Sequence, residues 1–116
     1  MITVSGERLT VTPYEIRRRG WLTSAVIRPG EVRRIRATYD DWGQEWLGIV
    51  GPGMAMVRLS RNRLGSEPTL RLELLEFLES VDPRTLTPAA ATLVAELRSW
   101  GAKVVDPDPG SLLAWW

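Results

Sequence analysis

Residues 45–59 have the sequence EWLGIVGPGMAMVRL, in which two largely apolar segments flank Gly-Pro-Gly at positions 51–53. A Gly- and Pro-rich break between two such segments is typical of the turn of a β-hairpin. In the second segment Met54, Met56 and Arg58 alternate with smaller apolar residues, so the two sets lie on opposite faces of a strand. The two methionines favour a central strand covered on both faces over a methionine patch used in recognition. The stretch therefore predicts an antiparallel hairpin.

Further strands are predicted before this hairpin. Residues 2–4 and 9–11 alternate apolar and polar side chains around a Ser-Gly turn, which indicates another hairpin. Residues 21–27 form an apolar segment that ends at Pro29-Gly30, a strong turn pair. Residues 32–39 alternate with a period of two, as expected for a half-buried strand.

Helical patterns begin after residue 65. Ser66 is placed to cap a helix, and the helix that follows has an apolar stripe made of Leu70, Leu74, Phe77, Leu78 and Val81. Asp82-Pro83 ends it. A second helix starts at Thr87-Pro88 and stops at Gly101, the usual type of C-terminal residue. Residues 102–105 then predict a short late strand.

The order of these elements predicts the fold class. A run of strands followed by helices is typical of α+β proteins, whose helices cover one face of a largely antiparallel sheet. We therefore expect a mainly antiparallel N-terminal sheet of about five or six strands, two consecutive helices packed on one of its faces, and one late strand near the C-terminus. The length of 116 residues, without an internal repeat or a linker, predicts a single domain over residues 1–116.

The composition excludes several kinds of chemistry. The chain has no cysteine and no histidine, so it has no disulfide, no thiolate or imidazole catalyst, and no metal site built from these ligands. We expect a protein without enzymatic activity or cofactor. No segment has the length of a membrane helix or the pattern of a signal peptide, so the default expectation is a cytoplasmic protein of a prokaryote or its phage. The excess of arginine over lysine, 14 to one, indicates a GC-rich genome.

The near-neutral net charge of +1 hides an uneven distribution. Residues 1–63 contain eleven arginines and six acidic residues, a balance of +5, whereas residues 64–116 have a balance of −4. Such a division indicates either a basic face for an acidic partner or a basic sheet that is neutralised by an acidic helical layer. The second interpretation is the commoner one.

Six tryptophans in so short a chain require an explanation. Trp100 has a core position on a helical stripe, but the others lie near predicted turns or strand ends and at the end of the chain, at positions 21, 42, 46, 115 and 116. Rings at a chain end need a cover, which could be the chain's own sheet, a second copy or a partner. Tryptophan and arginine are the residues most enriched in interface hot spots.

The favoured hypothesis is a small protein-binding module of the inhibitor, immunity, adaptor or phage accessory class, which acts by covering a surface of another protein and could form a homo-oligomer. The predicted contact residues are Arg18, Arg19, Trp21, Arg34, Arg36, Trp42, Trp46, Trp115 and Trp116. The alternative is an RNA- or DNA-binding protein that uses the arginine-bearing strands. A third hypothesis is a histidine-free ribonuclease or a metal-dependent hydrolase that uses arginine, Tyr39 and the pair Asp40 and Asp41.

Overall fold

The computed structural model describes residues 8–20, 23–53 and 55–105. The described strands are β1 (Arg8–Val11), β2 (Ile16–Arg19), β3 (Ser24–Ile27), β4 (Arg34–Tyr39), β5 (Glu45–Val50) and β6 (Met56–Ser60). The α-helices are α1 (Arg61–Ser66), α2 (Pro68–Glu79) and α3 (Pro88–Trp100), and short 3₁₀ turns lie at Pro29–Glu31 and Pro83–Thr85. The α+β class is confirmed.

The first sheet contains β1, β2 and β3 in sequence order, all antiparallel. A turn at Thr12 joins β1 to β2, where the Thr12 hydroxyl accepts hydrogen bonds from the N–H groups of Tyr14 and Glu15. Strand β2 is absent from the sequence prediction, because its sequence IRRR contains one apolar residue. The hairpin predicted over residues 2–11 lies partly outside the described residues.

The second sheet contains β4, β5 and β6, again antiparallel and in sequence order. Its β5–β6 hairpin confirms the prediction for residues 45–59, and Gly53 turns the chain with a φ of +65°. Among the described strands, however, β6 lies at the edge of its sheet, which contradicts the expectation of a central strand. Met56 is only half-buried there, and Met54 lies outside the described residues.

The strands thus form two three-stranded sheets, which corrects the prediction of one sheet of five or six strands. The reason lies between β3 and β4, where Pro29 begins a 3₁₀ turn stabilised by hydrogen bonds between Arg28 and Glu31. This turn redirects the chain, and β4 pairs with β5 instead of β3. The sheets meet at Gly51, where a Cβ atom would lie only 2.9 Å from the side chain of Ile27.

The described residues form three α-helices, so the prediction of two is wrong. The additional helix, α1, begins at Arg61, before the point at which helical patterns were found in the sequence. Its N-cap is Ser60, whose hydroxyl accepts from the N–H of Arg63. Ser66 is the last residue of α1 and does not cap α2. The second predicted helix is confirmed as α3, which is capped by Thr87 and ended by Gly101 at a φ of +59°.

The late strand predicted over residues 102–105 is also wrong. These residues form a turn and an irregular segment after α3, and the N–H of Val105 donates to the carbonyl of Gly65 in α1. The guanidinium of Arg71, on α2, binds the carbonyls of Gly101 and Lys103. Backbone groups that a sheet would pair are therefore satisfied by the helical layer.

One hydrophobic cluster connects the two sheets and the helices. It includes Ile16 and Ile27 of the first sheet, Ile35, Leu47, Ile49, Val57 and Leu59 of the second, and Leu74, Phe77, Leu93 and Leu97 of the helices. A parallel bridge between Ile35 and Leu86, with a hydrogen bond from Thr87 N–H to the Ile35 carbonyl, joins the start of α3 to β4. The apolar side chains of the second sheet therefore point to the core, and its alternate positions form an outer face.

Candidate functional site

The turn between β4 and β5 is held by the side chain of Asp40. One carboxylate oxygen accepts from the N–H groups of Trp42 and Gln44, both at 2.9 Å, and the other accepts from the indole N–H of Trp46 at 3.0 Å. Gly43 allows the reversal with a φ of +79°. We call residues 39–45 the tip; its conformation is determined by this hydrogen-bonded carboxylate.

These hydrogen bonds also affect the charge of Asp40. The indole N–H of Trp46 and the backbone N–H of Gln44 stabilise the carboxylate and lower the pKa of Asp40. A group that remains ionised and is occupied by three donors is poorly suited to abstract a proton near neutral pH. The geometry therefore assigns Asp40 to the structure of the turn and weakens the hydrolase hypothesis.

Trp42 is the most exposed large apolar side chain of the tip. It is 92% exposed, and Tyr39, at the start of the same tip, is 69% exposed. Both border an open cavity of about 410 Å³, which Arg61 and Asn62 of α1 also line. A large aromatic side chain that is exposed on a well-ordered turn loses little entropy on binding, and it can insert into a pocket of a partner.

Trp46 has a different environment from Trp42, although both were predicted as contact residues. Its indole N–H binds Asp40, and the guanidinium of Arg58 lies 4.7 Å from its ring centroid. Trp46 is half-buried. The stacked arginine covers a face of the ring, so Trp46 positions Arg58 more than it presents a free aromatic surface.

Exposed arginines continue the outer face of the second sheet. Arg36 and Arg58 lie on either side of Gly48 in the register, and Arg34 is exposed on β4 two residues before Arg36. Because Gly48 has no side chain, the two neighbouring arginines face each other across it. We call Arg34, Arg36 and Arg58 the arginine face. None of them forms an ion pair within residues 8–20, 23–53 and 55–105.

Arg18 and Arg19 are adjacent on β2 and therefore lie on opposite faces of the first sheet. Arg19 is exposed on the outer face, directly opposite Arg8 of β1. Arg18 is half-buried on the inner face, and it lines a cavity together with Trp46, Met56 and Arg58. The structure thus brings Arg18 to the second sheet and leaves Arg19 away from it.

The predicted contact residues are divided by the structure. Trp42, Trp46, Arg34 and Arg36 lie on one β4–β5 unit, whereas Arg19 faces elsewhere; Trp21, Trp115 and Trp116 lie outside the described residues. The set of predicted contact residues did not include Tyr39, Arg58 or Met56. The period-two pattern of β6 could have identified Arg58 as a contact residue, because it places Arg58 on the outer face of the sheet, the face that carries the arginines of β4.

No protein-family model matches the chain, and the searches of curated proteins and of solved structures gave no match either. Within the described ranges, no three acidic side chains come together as a group that could hold a metal ion. Among the same residues, no helix has the length and apolar character required to cross a bilayer.

Proposed function

We propose that this chain is a protein-binding module that acts by covering a partner's surface, without catalysis or cofactor, and that Trp42 is its main anchor. The observation that carries the proposal is the 92% exposure of Trp42 on a turn that Asp40 holds in one conformation. Exposing an indole to water is unfavourable, and burying it in a partner's pocket would remove most of that apolar surface from solvent.

The charges around Trp42 favour a protein over a nucleic acid at the tip. Asp40, Asp41 and Glu45 lie within three residues of the indole along the chain, and they would repel the phosphates of a nucleic acid. A protein pocket that is apolar at its base and basic at its rim matches both the ring and these carboxylates. This complementarity selects the partner's chemistry more than it adds affinity.

The arginine face supplies the second part of the proposed contact. Arg34, Arg36 and Arg58 would meet acidic side chains of the partner, because guanidinium groups bind carboxylates through two parallel hydrogen bonds. The same partner, which could be a second copy of this chain, would therefore have a basic-rimmed apolar pocket beside an acidic strip. In an inhibitor, immunity protein, adaptor or phage accessory protein, such a contact acts by covering a site on the partner.

The test compares Trp42→Ala with Tyr14→Ala, a matched control that removes another largely exposed aromatic ring (80%) from the β1–β2 turn. Native mass spectrometry of each protein purified from its own host reports bound protein, bound nucleic acid and self-association together. We expect Trp42→Ala to lose the bound chain, or the second copy, and Tyr14→Ala to retain it. Equal retention by both variants would refute the proposed anchor.

The C-terminal tryptophans are a separate part of the proposal. Trp115 and Trp116, together with Trp21, remain predicted contact residues. Truncation after Gly110 tests the first two. Weaker partner binding with an unchanged circular dichroism spectrum would support their role, and unchanged binding would remove them from the contact surface.

A second candidate function is RNA or DNA binding by the outer face of the first sheet. Arg8 and Arg19 are directly opposite each other in the register, and both are exposed with Arg17 beside them. Like charges in this position are unfavourable, and a phosphate backbone would relieve their repulsion. We expect binding of mixed oligonucleotides to fall steeply with salt and to weaken in Arg8→Gln and Arg19→Gln. An absence of binding at low salt would exclude this function.

A further inference from the structure

A small cavity between the two sheets has two guanidinium groups in its lining. Arg18 reaches it from β2 and Arg58 from β6, while Trp46 and Met56 provide apolar walls. The cavity has a volume of about 320 Å³. Its size is at the lower end of the range for small-molecule sites, large enough for one charged group on a small apolar body.

Arg18 carries a hydrogen-bond donor with no protein partner. Its Nε atom is buried, yet it has no acceptor among the described residues. In the register Arg18 lies between Leu9 and Ala25, two small or apolar neighbours that offer no side-chain acceptor. Buried donors are nearly always satisfied in folded proteins, so an unpaired guanidinium nitrogen beside a cavity indicates an absent acceptor.

Arg58 is held in place before any ligand arrives. Its guanidinium stacks on Trp46, whose indole N–H is in turn bound by Asp40. Stacking uses the flat face of the guanidinium and leaves its N–H edges for hydrogen bonds. A side chain that is already ordered loses less entropy on binding, so Arg58 is prepared to receive an anion.

The charge of the cavity favours a dianion. Within the described residues neither Arg18 nor Arg58 belongs to an ion pair, and no acidic side chain lines the cavity. We infer that this cavity is a binding site for a phosphomonoester, whose oxygens accept hydrogen bonds from Arg18 and Arg58 and whose apolar body lies against Trp46 and Met56. A phosphomonoester carries a charge of about −1.5 to −2 at neutral pH, which matches two guanidinium groups.

This site goes beyond the proposed protein contact: it shares Arg58 with the arginine face, but it binds a different chemical group and does not involve Trp42. The phosphate could belong to a phosphorylated side chain of another protein or to a free phosphate ester. The chemistry at the arginines is the same for both sources. They differ in what the remainder of the ligand contacts, and separate probes can therefore distinguish them.

Isothermal titration calorimetry with phenyl phosphate tests the inference directly. We expect Arg18→Gln and Arg58→Gln each to weaken binding by at least about tenfold, because each loses a charged donor to the phosphate. The matched control is Arg33→Gln, because Arg33 is exposed and belongs to none of the arginine groups proposed to bind a partner. It should change the affinity by less than about twofold, since single surface charges contribute little. Phenyl sulfate has nearly the same shape with a single charge and should bind more weakly.

Several outcomes would overturn the inference. They are an absence of phenyl phosphate binding by the folded wild-type protein, equal affinity for phenyl sulfate, or an equal loss in Arg33→Gln and Arg18→Gln. Circular dichroism checks the fold of each variant, and Arg58→Gln keeps the test decisive if the buried Arg18 is needed for folding. Tighter binding of N-acetyl-O-phosphotyrosine amide than of phenyl phosphate would assign the site to a phosphorylated side chain, and the reverse order to a free ester. Trp42→Ala should leave all of these affinities unchanged, which separates this site from the partner contact.

Discussion

Replacement of Arg71 should reveal how the helical layer is held together. Arg71 is the one charged side chain among the described residues that is fully buried, with 0% exposure. Its guanidinium donates to the carbonyls of Leu64 and Gly65 at the end of α1, and to those of Gly101 and Lys103 after α3. These carbonyls lie at the negative ends of two helix dipoles, so one cation stabilises both.

The expected cost follows from the acceptors that would lose their partner. Arg71→Met keeps most of the side-chain volume and leaves four carbonyls without this donor, at about 1 kcal/mol each. Burial lowers the pKa of Arg71, which shows that the buried charge itself costs stability, and its removal offsets part of the loss. We expect the free energy of unfolding to fall by about 3 kcal/mol, which for a chain of this size corresponds to a decrease in Tm of about 10 °C or more.

Urea unfolding followed by far-UV circular dichroism measures this change. Arg98→Met is the matched control, because Arg98 is exposed on α3 and its contact with Glu79 is long, at 4.0 Å; the control should lose less than about 0.5 kcal/mol. Arg71→Lys retains the charge but cannot reproduce the forked geometry, and it should lose about 2 kcal/mol. A loss below about 1 kcal/mol in Arg71→Met would refute the role of Arg71 in joining α1 to the end of α3.

Three further changes test the turns and caps. Asp40→Asn should lower the urea midpoint at pH 6, and the difference from wild type should shrink below about pH 4. The lowered pKa of Asp40 means that its carboxylate stabilises the fold above about pH 4 and that this stabilisation is lost when the carboxylate is protonated. A difference that is constant with pH would contradict this. Thr87→Ala removes the hydrogen bond to the N–H of the third helical residue and should cost about 1 kcal/mol in urea unfolding. Gly51→Ala should cost about 1–3 kcal/mol by crowding Ile27, whereas Gly30→Ala, with no atom near the added methyl, should be tolerated; equal stability of the two variants would contradict the close contact.

Elements with a strong local pattern were predictable from the sequence. The β5–β6 hairpin has a Gly-Pro-Gly turn between two apolar segments, and α3 has a Thr-Pro start, an apolar stripe and a terminal glycine. Each of these signals acts within a few residues of the chain, so no tertiary contact is needed to recognise it. The α+β class followed from their order alone.

Elements that depend on distant contacts were missed. The sequence of α1, RNRLGS, has one large apolar residue. The helix exists because Leu64 is buried and because the guanidinium of Arg71 donates hydrogen bonds to the carbonyls of Leu64 and Gly65. The sequence did contain an indication that Arg71 is buried, since residues 71, 74, 75 and 78 have the spacing of a buried helical stripe. A cation in such a stripe is normally placed on the solvent side, because burial is costly without acceptors. The acceptors come from α1 and the end of α3, which no local pattern predicts.

The same limit explains why the candidate site was only partly predicted. Trp42 and Trp46 are four residues apart, on and just after one polar turn, and composition gives no reason to separate them. The carboxylate of Asp40 binds the indole of Trp46 and the backbone of Trp42, so one ring is drawn inward under Arg58 and the other is left in solvent. Trp42 is thus the proposed anchor for a partner, and Trp46 supports the proposed anion site. This difference depends on β6, the strand that pairs with β5 and carries Arg58. The proposals at Trp42 and at the Arg18–Arg58 cavity can consequently fail or succeed separately, although both depend on the turn that Asp40 holds.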